Sequence, residues 1–532
     1  MKGTSRPGIS NVKVIWKALD EAARFSPDAT AFAYFGQNHT WRQLDDVSDR
    51  LASAFLRAGI AKGDHVGLIA LNQPEWLYVY FAAVKIGAVV VGMNAFSSRA
   101  EILQGLRAAD VKAVVSCKSF GETDFVRMFQ KGADILRHVG HYIFIGGPAF
   151  AGSQGLESMI GEDVDGDALA KAREKVEPDD TTMIIYTSGT TDSPKGAALT
   201  NRSQLASASA QARHMRVRED DVLLFTPPLT HVGGITCGFL CMMLARAGSV
   251  LVPLPIADEV MEQFTEHQPT ILVAFPGSHY RILASEDFHR IDTSVVRLVV
   301  TGGGCMDGDL AADMAAAYPD ATLMNLYGLT ETSGAAIMTP WNMDAGSLAR
   351  CIGRPIGDFH VRMADREGRA VEGSGVGEIC IKGTGVVPAY FRMKDRTGGM
   401  IDEQGWLRTG DMGYLDDTGS IGLKGRKAEM YTQAGECVYT SEVEEFLARH
   451  PKVSMVAGIG VPDPVSGTVG RYYVVPRPGN RPTVQELRGF CQSTLGPAKA
   501  PEQIVLREEL PVSPMGKILK SRLKKEFELY GR

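Results

Sequence analysis

The segment Thr187-Ser188-Gly189-Thr190-Thr191-Asp192-Ser193-Pro194-Lys195-Gly196 gathers small hydroxyl residues, glycine and one lysine directly after the apolar run Met183 to Tyr186. Backbone N–H groups, hydroxyls and a flexible ammonium are what polyphosphate oxygens bind, so the composition reads as a phosphate loop. It is not the Walker arrangement, because Pro194 precedes Lys195 and no Ser or Thr follows it. Taken alone, such a segment also reads as a polar surface turn. The eight cysteines form no C-x-x-C pair and no metal-ligand cluster, which implies reduced, mostly buried thiols. Cys305, after Gly302, Gly303 and Gly304, reads as a small apolar packing residue.

These residues need a scaffold, and the chain supplies a layered one. Short β-branched runs (His65 to Leu71, Val111 to Cys117, Tyr142 to Ile145, Met183 to Tyr186, Val222 to Phe225, Ile271 to Phe275, Val296 to Thr301) are apolar on both faces and suit buried, largely parallel strands. Helix-like stretches such as Trp41 to Ala58, Pro74 to Ile86 and Ser203 to His214 lie between them, which predicts α/β architecture. From about 353 to 416 short strands and Gly-rich turns predict a β-rich subdomain. The last hundred or so residues read as a separate compact α+β unit. There Ser441-Glu442-Val443-Glu444 has capping-box spacing before a helix running to His450. Strands are expected at Val453 to Val461 and Gly470 to Val475, and a second helix near Val484 to Ser493. The expected division is a large N-terminal domain, 1–424, and a small mobile C-terminal domain, 425–532.

A chain of 532 residues exceeds one ordinary core, and 44% hydrophobic with 22% charged residues leaves little room for extended disorder. A net charge of -6 with scattered Lys and Arg makes nucleic acid an unexpected partner. The start has no secretory signal pattern, and the longest apolar run, Val232 to Ala245, is too short to span a bilayer. A cytoplasmic location follows as the expectation.

The phosphate loop resembles that of the adenylate-forming superfamily of acyl-CoA synthetases, peptide-synthetase adenylation domains and luciferases, and is closest in look to bacterial acyl- or aryl-CoA ligases. Four further segments match in the same order: Asn325-Leu326-Tyr327-Gly328-Leu329-Thr330-Glu331, Arg408-Thr409-Gly410-Asp411, Gly425-Arg426-Lys427 and Pro514-Met515-Gly516-Lys517. The resemblance implies ATP held by Thr187, Ser188, Gly189, Thr190, Thr191 and Lys195, by the adenine segment Asn325, Leu326, Tyr327, Gly328 and Thr330, and by Asp411 and Arg426. Tyr327 can stack on adenine with Gly302, Gly303 and Gly304 leaving room on the ring's other face. Asp411 can accept from both ribose hydroxyls, Arg426 can reach ribose or phosphate, and Glu331 offers a hard oxygen to Mg²⁺. Lys517 would neutralise charge as an acid attacks the α-phosphorus. His231, with Gly233 and Gly303, would shape the acid pocket. Thr187, Glu331, His231 and Lys517 are the expected catalytic set.

Three positions depart from the family pattern. Asp192 stands where glycine is usual in the phosphate loop, Ala428 where the family has an Asp or Lys hinge, and Cys437 near a position usually Asn or Arg. The last two fall on the acceptor side of the cycle. The reading is therefore an acid–CoA ligase using ATP, Mg²⁺ and CoA. The alternatives are an adenylate-forming ligase that serves an amine or carrier protein, with an organic or an inorganic acid such as nitrite, and a non-catalytic nucleotide sensor.

Overall fold

The computed structural model describes residues 8–187, 195–254, 256–304, 306–393, 399–433, 436–464, 467–512 and 518–531. The chain packs as two compact units, one of residues 1–360 with 381–407, the other of 361–380 with 408–532.

Two sheets carry the first unit. The larger has nine strands in the order Arg354–Pro355, Gly334–Met338, Thr322–Leu329, Leu298–Gly302, Ile271–Ala274, Val222–Phe225, Gly248–Leu251, Thr30–Tyr34 and Gln37–Thr40. Its interior is parallel, for example Thr301 opposite Asn325 and Gly302 opposite Leu326. The second has seven strands, running from Lys195–Thr200 through Thr181–Thr187, Val89–Met93, His65–Ile69 and Ala113–Ser116 to His141–Phe144 and Gln154–Gly155. Strands such as Val89–Met93 and Ala113–Ser116 are buried along their whole length, as parallel strands covered on both faces must be. Helices between them are closed by local chemistry. Thr40 caps Trp41–Arg57 and Thr200 caps Asn201–His214, each in a reciprocal capping box.

The apolar run at 232–245 is a buried, broken helix in which Ile235–Leu240 is a π-helix between two short α segments. Among the described residues no helix is long and apolar enough to cross a membrane.

The second unit holds a four-stranded sheet, His360–Ala364, Gly377–Lys382, Leu407–Leu415 and Ile421–Arg426 in that order, a hairpin of Met430–Gln433 with Glu436–Tyr439, and a three-stranded sheet of Val453–Asp463, Gly467–Pro476 and Gln503–Leu506. The helix Thr440–Ala448 differs from its expected start. Ser441 lies inside it, its hydroxyl donating to Lys424 O at 2.7 Å, and Glu444 faces Lys520 instead of closing a capping box. The reciprocal box of this unit is Thr483 with Glu486, at the start of Val484–Leu495. Of the seven described cysteines five are buried, Cys117 is intermediate and Cys437 is exposed; none is paired in a disulfide.

Candidate nucleotide and acid site

The strands Thr181–Thr187 and Lys195–Thr200 pair antiparallel with Thr187 directly opposite Lys195. Sheet register thus brings together the first residue and the lysine of the expected phosphate loop; Ser188, Gly189, Thr190, Thr191 and Asp192 lie outside the described residues, as does Lys517. The segment after Gly385 then runs along Lys195–Thr200: Phe391 N donates to Gly196 O at 2.8 Å, and Ala197 and Tyr390 form an isolated antiparallel bridge. That places the Tyr390 ring 5.5 Å from the Lys195 ammonium. The Tyr390 hydroxyl donates to Glu331 Oε1 at 2.6 Å, and Val387 N donates to Glu331 O at 2.9 Å. Burial, and then the Glu331 carboxylate, push the Tyr390 phenol above its ordinary pKa, so it stays a donor. The chain Lys195, Tyr390, Glu331 therefore joins the base of the phosphate loop to the expected metal carboxylate. No sequence feature points to Tyr390, a loop residue placed by one bridge.

Glu331 fits a Mg²⁺ that takes few protein ligands and completes its shell with phosphate oxygens and water. Its Oε1 accepts from Tyr390, and the described residues contain no group of three His, Cys, Asp or Glu side chains able to hold a metal by themselves.

The adenine segment lies on the strand Thr322–Leu329. Tyr327 is half-buried. Asn325, however, is a bolt between backbone segments, its amide donating to Leu348 O at 2.6 Å and Cys351 O at 3.0 Å. A Cβ on Gly302 would stand 2.7 Å from Leu326 O, one on Gly303 2.7 Å from the Phe275 ring, and one on Gly328 2.0 Å from Gly334 O. These positions let backbone and ring approach closely. The acid-side residues behave alike. His231 Nδ1 accepts from Gly233 N at 3.0 Å, so the neutral ring carries its proton on Nε2, and the ring meets Phe275 edge to face at 6.0 Å. Gly234 is obligatory, since a Cβ there would fall 2.3 Å from Pro228 O. Phe275, at the end of an expected strand, is thus a wall shared by His231 and Gly303.

Within the second unit, antiparallel register sets Asp411 opposite Arg426, with Arg426 Nε 2.8 Å from Asp411 Oδ1. The Asp411 side chain is 6% exposed against 41% for Arg426. Arg408 and Lys427, the other cations of these motifs, both turn to Glu378, at 2.6 and 3.0 Å.

The family model described as AMP-binding enzyme matches residues 19–391, and that of the AMP-binding enzyme C-terminal domain matches 442–517. The chain belongs to the AMP-binding enzyme family. This AMP-binding enzyme is 31% identical over 517 residues, 96% of this chain and 98% of the other, to an octahydroindenyl-propanoyl:CoA ligase of Rhodococcus jostii (strain RHA1). Its fold is that of the anthranilate CoA ligase AuaEII, solved with anthranoyl-AMP, with a TM-score of 0.86 at 23% identity and all of both chains covered. The amide bond synthetase McbA from Marinactinospora thermotolerans is also similar, with a TM-score of 0.82 at 26% identity, covering 96% of this chain and 99% of that one. As a member of this family the chain is an adenylate-forming, ATP-dependent ligase that releases AMP.

Proposed function

We propose that this AMP-binding enzyme joins a carboxylic acid to CoA in two steps. A carboxylate oxygen attacks the α-phosphorus of ATP and pyrophosphate leaves. The thiol sulfur of CoA then attacks the acyl carbon and AMP leaves, the thiol proton being lost to solvent or base. The observation that carries the reading is the Lys195, Tyr390, Glu331 chain, which gathers a cation for phosphate oxygens and a carboxylate for a phosphate-bound cation in one place. In this reading Thr187, Ser188, Gly189, Thr190, Thr191 and Lys195 hold the phosphates, Tyr327 packs on adenine, and Asp411 and Arg426 take the ribose. Mg²⁺ bound at Glu331 would neutralise charge on the phosphates. Lys517 supports the first step electrostatically. His231, Phe275, Gly233 and Gly303 bound the acid. The part of the chain from 425 onward moves between the steps. Relatives named as CoA ligases support the thiol as acceptor.

A second reading, transfer to an amine, is favoured by Ala428 and Cys437, which depart from the family pattern on the acceptor side, and by the likeness to an amide bond synthetase. The two separate in one assay: AMP release is followed with an acid, ATP and either CoA or a panel of amines. Acceleration by CoA with formation of an acyl thioester supports the first reading. Acceleration by an amine alone overturns it.

A further inference from the structure

Glu378, on the strand Gly377–Lys382, carries a carboxylate that is only 6% exposed. Desolvating a carboxylate is costly unless donors surround it, and here four do. Arg408 gives Nε at 3.0 Å and Nη2 at 2.6 Å to Oε2, Lys427 gives Nζ at 3.0 Å to the same oxygen, and Gly410 N lies 3.2 Å from Oε1. Burial alone would raise its pKa, but Arg408 and Lys427 outweigh this and hold it below the ordinary value, so it is ionised at neutral pH. The next residue continues the grip, because Thr409 Oγ1 donates to Ile379 O at 2.8 Å and accepts from Asp411 N at 3.1 Å. Gly410 takes φ +76° in this turn, a conformation that glycine adopts without strain. Two consecutive residues of one strand thereby fix all of 408–411.

We propose that Glu378 is the positioning residue of the ribose segment: its carboxylate locks the 408–411 turn and occupies Arg408 and Lys427, leaving Asp411 and Arg426 aimed at the nucleotide. The inference rests on Asp411 being the ribose ligand. The cluster sets three cations, Arg408, Arg426 and Lys427, against the carboxylates of Glu378 and Asp411, and Asp365 also acts on Arg408. If Glu378 is neutralised, the 408–411 turn loses its anchor and Arg408 and Lys427 lose their shared carboxylate, so that beside Asp365, which already acts on Arg408, they turn to Asp411 on the same turn. A ribose diol then competes with two more cations for the same oxygens.

The test uses the full chain and isothermal titration of ATP and 2′,3′-dideoxy-ATP, which lacks the diol. The wild-type enzyme is expected to prefer ATP by about tenfold, the size of a hydrogen bond to a charged acceptor. Glu378→Gln is expected to weaken ATP binding about tenfold and leave the dideoxy nucleotide within twofold of wild type, so that the preference disappears. Glu378→Asp, which keeps the charge but shortens the reach, is expected to lose part of the preference, and carries the test if the Gln variant does not fold. A parallel loss for both nucleotides, or an unchanged preference, overturns the proposal and leaves Glu378 a structural ion pair. Absence of any preference in the wild-type enzyme overturns the ribose role of Asp411 and the proposal with it.

Discussion

Glu331 is held through two different atoms, its backbone oxygen by Val387 N and its carboxylate by the Tyr390 hydroxyl, so its charge can be altered without moving the chain. Glu331→Gln is expected to raise the Mg²⁺ concentration needed for half-maximal activity roughly tenfold, since an amide is a poor ligand for a hard dication; unchanged magnesium dependence would remove Glu331 from the metal site. Lys517→Ala is expected to slow adenylate formation by two to three orders of magnitude while transfer from adenylate supplied ready-made continues at near the normal rate. Equal losses in both half-reactions would make Lys517 a residue of folding or docking. Asp411, Arg426 and Glu331 can be singled out from sequence because each stands at a fixed place in a short motif, the first two facing each other as an ion pair in the fold. Glu378 and Tyr390 are not, because strand register and a loop bridge bring them to partners far along the chain. Asn325 stands in its motif, yet its amide is satisfied by Leu348 and Cys351, a use that no local pattern announces.

The elements show the same division between local and distant causes. Continuous apolar runs place the strands His65–Ile69 and Val222–Phe225 within a residue or two, since burial on both faces writes itself into consecutive residues. The expected cap at Ser441 fails because the hydroxyl is taken by Lys424 and the carboxylate of Glu444 by Lys520, both supplied by tertiary packing. Lys520, at the start of Lys520–Tyr530, meets Glu429 at 2.5 Å and Glu444 at 2.8 Å, while Lys524 Nζ reaches Ala428 O at 3.2 Å. Two lysines of the basic tail thus fasten the last helix to the junction residues. Lys520→Met leaves two carboxylates in a partly buried site, and should cost about 3 kcal/mol in urea unfolding of the second unit; a loss below 1 kcal/mol would show the cluster to be solvated. His279, on the helix Pro276–Leu283, is fully buried with Nε2 on Val300 O at 3.2 Å. Burial lowers its pKa from 6.5 to about 4. The unfolded chain then binds the proton first, so this contribution to stability is complete above about pH 6.5 and is lost as pH falls toward 4. Melting temperature should drop across that window, and His279→Gln should flatten the drop; an identical profile in the variant would assign the acid sensitivity elsewhere.

At the scale of the whole molecule, alternation of strand and helix announces the α/β class, and both family models fall on the chain in the expected order. Where a boundary lies is less legible. By packing, the second unit takes in 361–380 and everything from 408, because the strand bearing Glu378 pairs within the sheet that carries Asp411 and Arg426. Composition marks where text changes, whereas hydrogen-bonded neighbours decide which strands belong together. If the part from 425 onward moves during the cycle, ATP with an activated acid should protect 425–429 from limited proteolysis; equal cleavage with and without ligands would count against such movement. Acid activation is read out by ATP–pyrophosphate exchange, measured with the full-length enzyme across a panel of carboxylic acids. Exchange that depends on one class of acid and on Mg²⁺ is the expected result. Binding of ATP without exchange for any carboxylic acid would mean that the enzyme does not activate carboxylates.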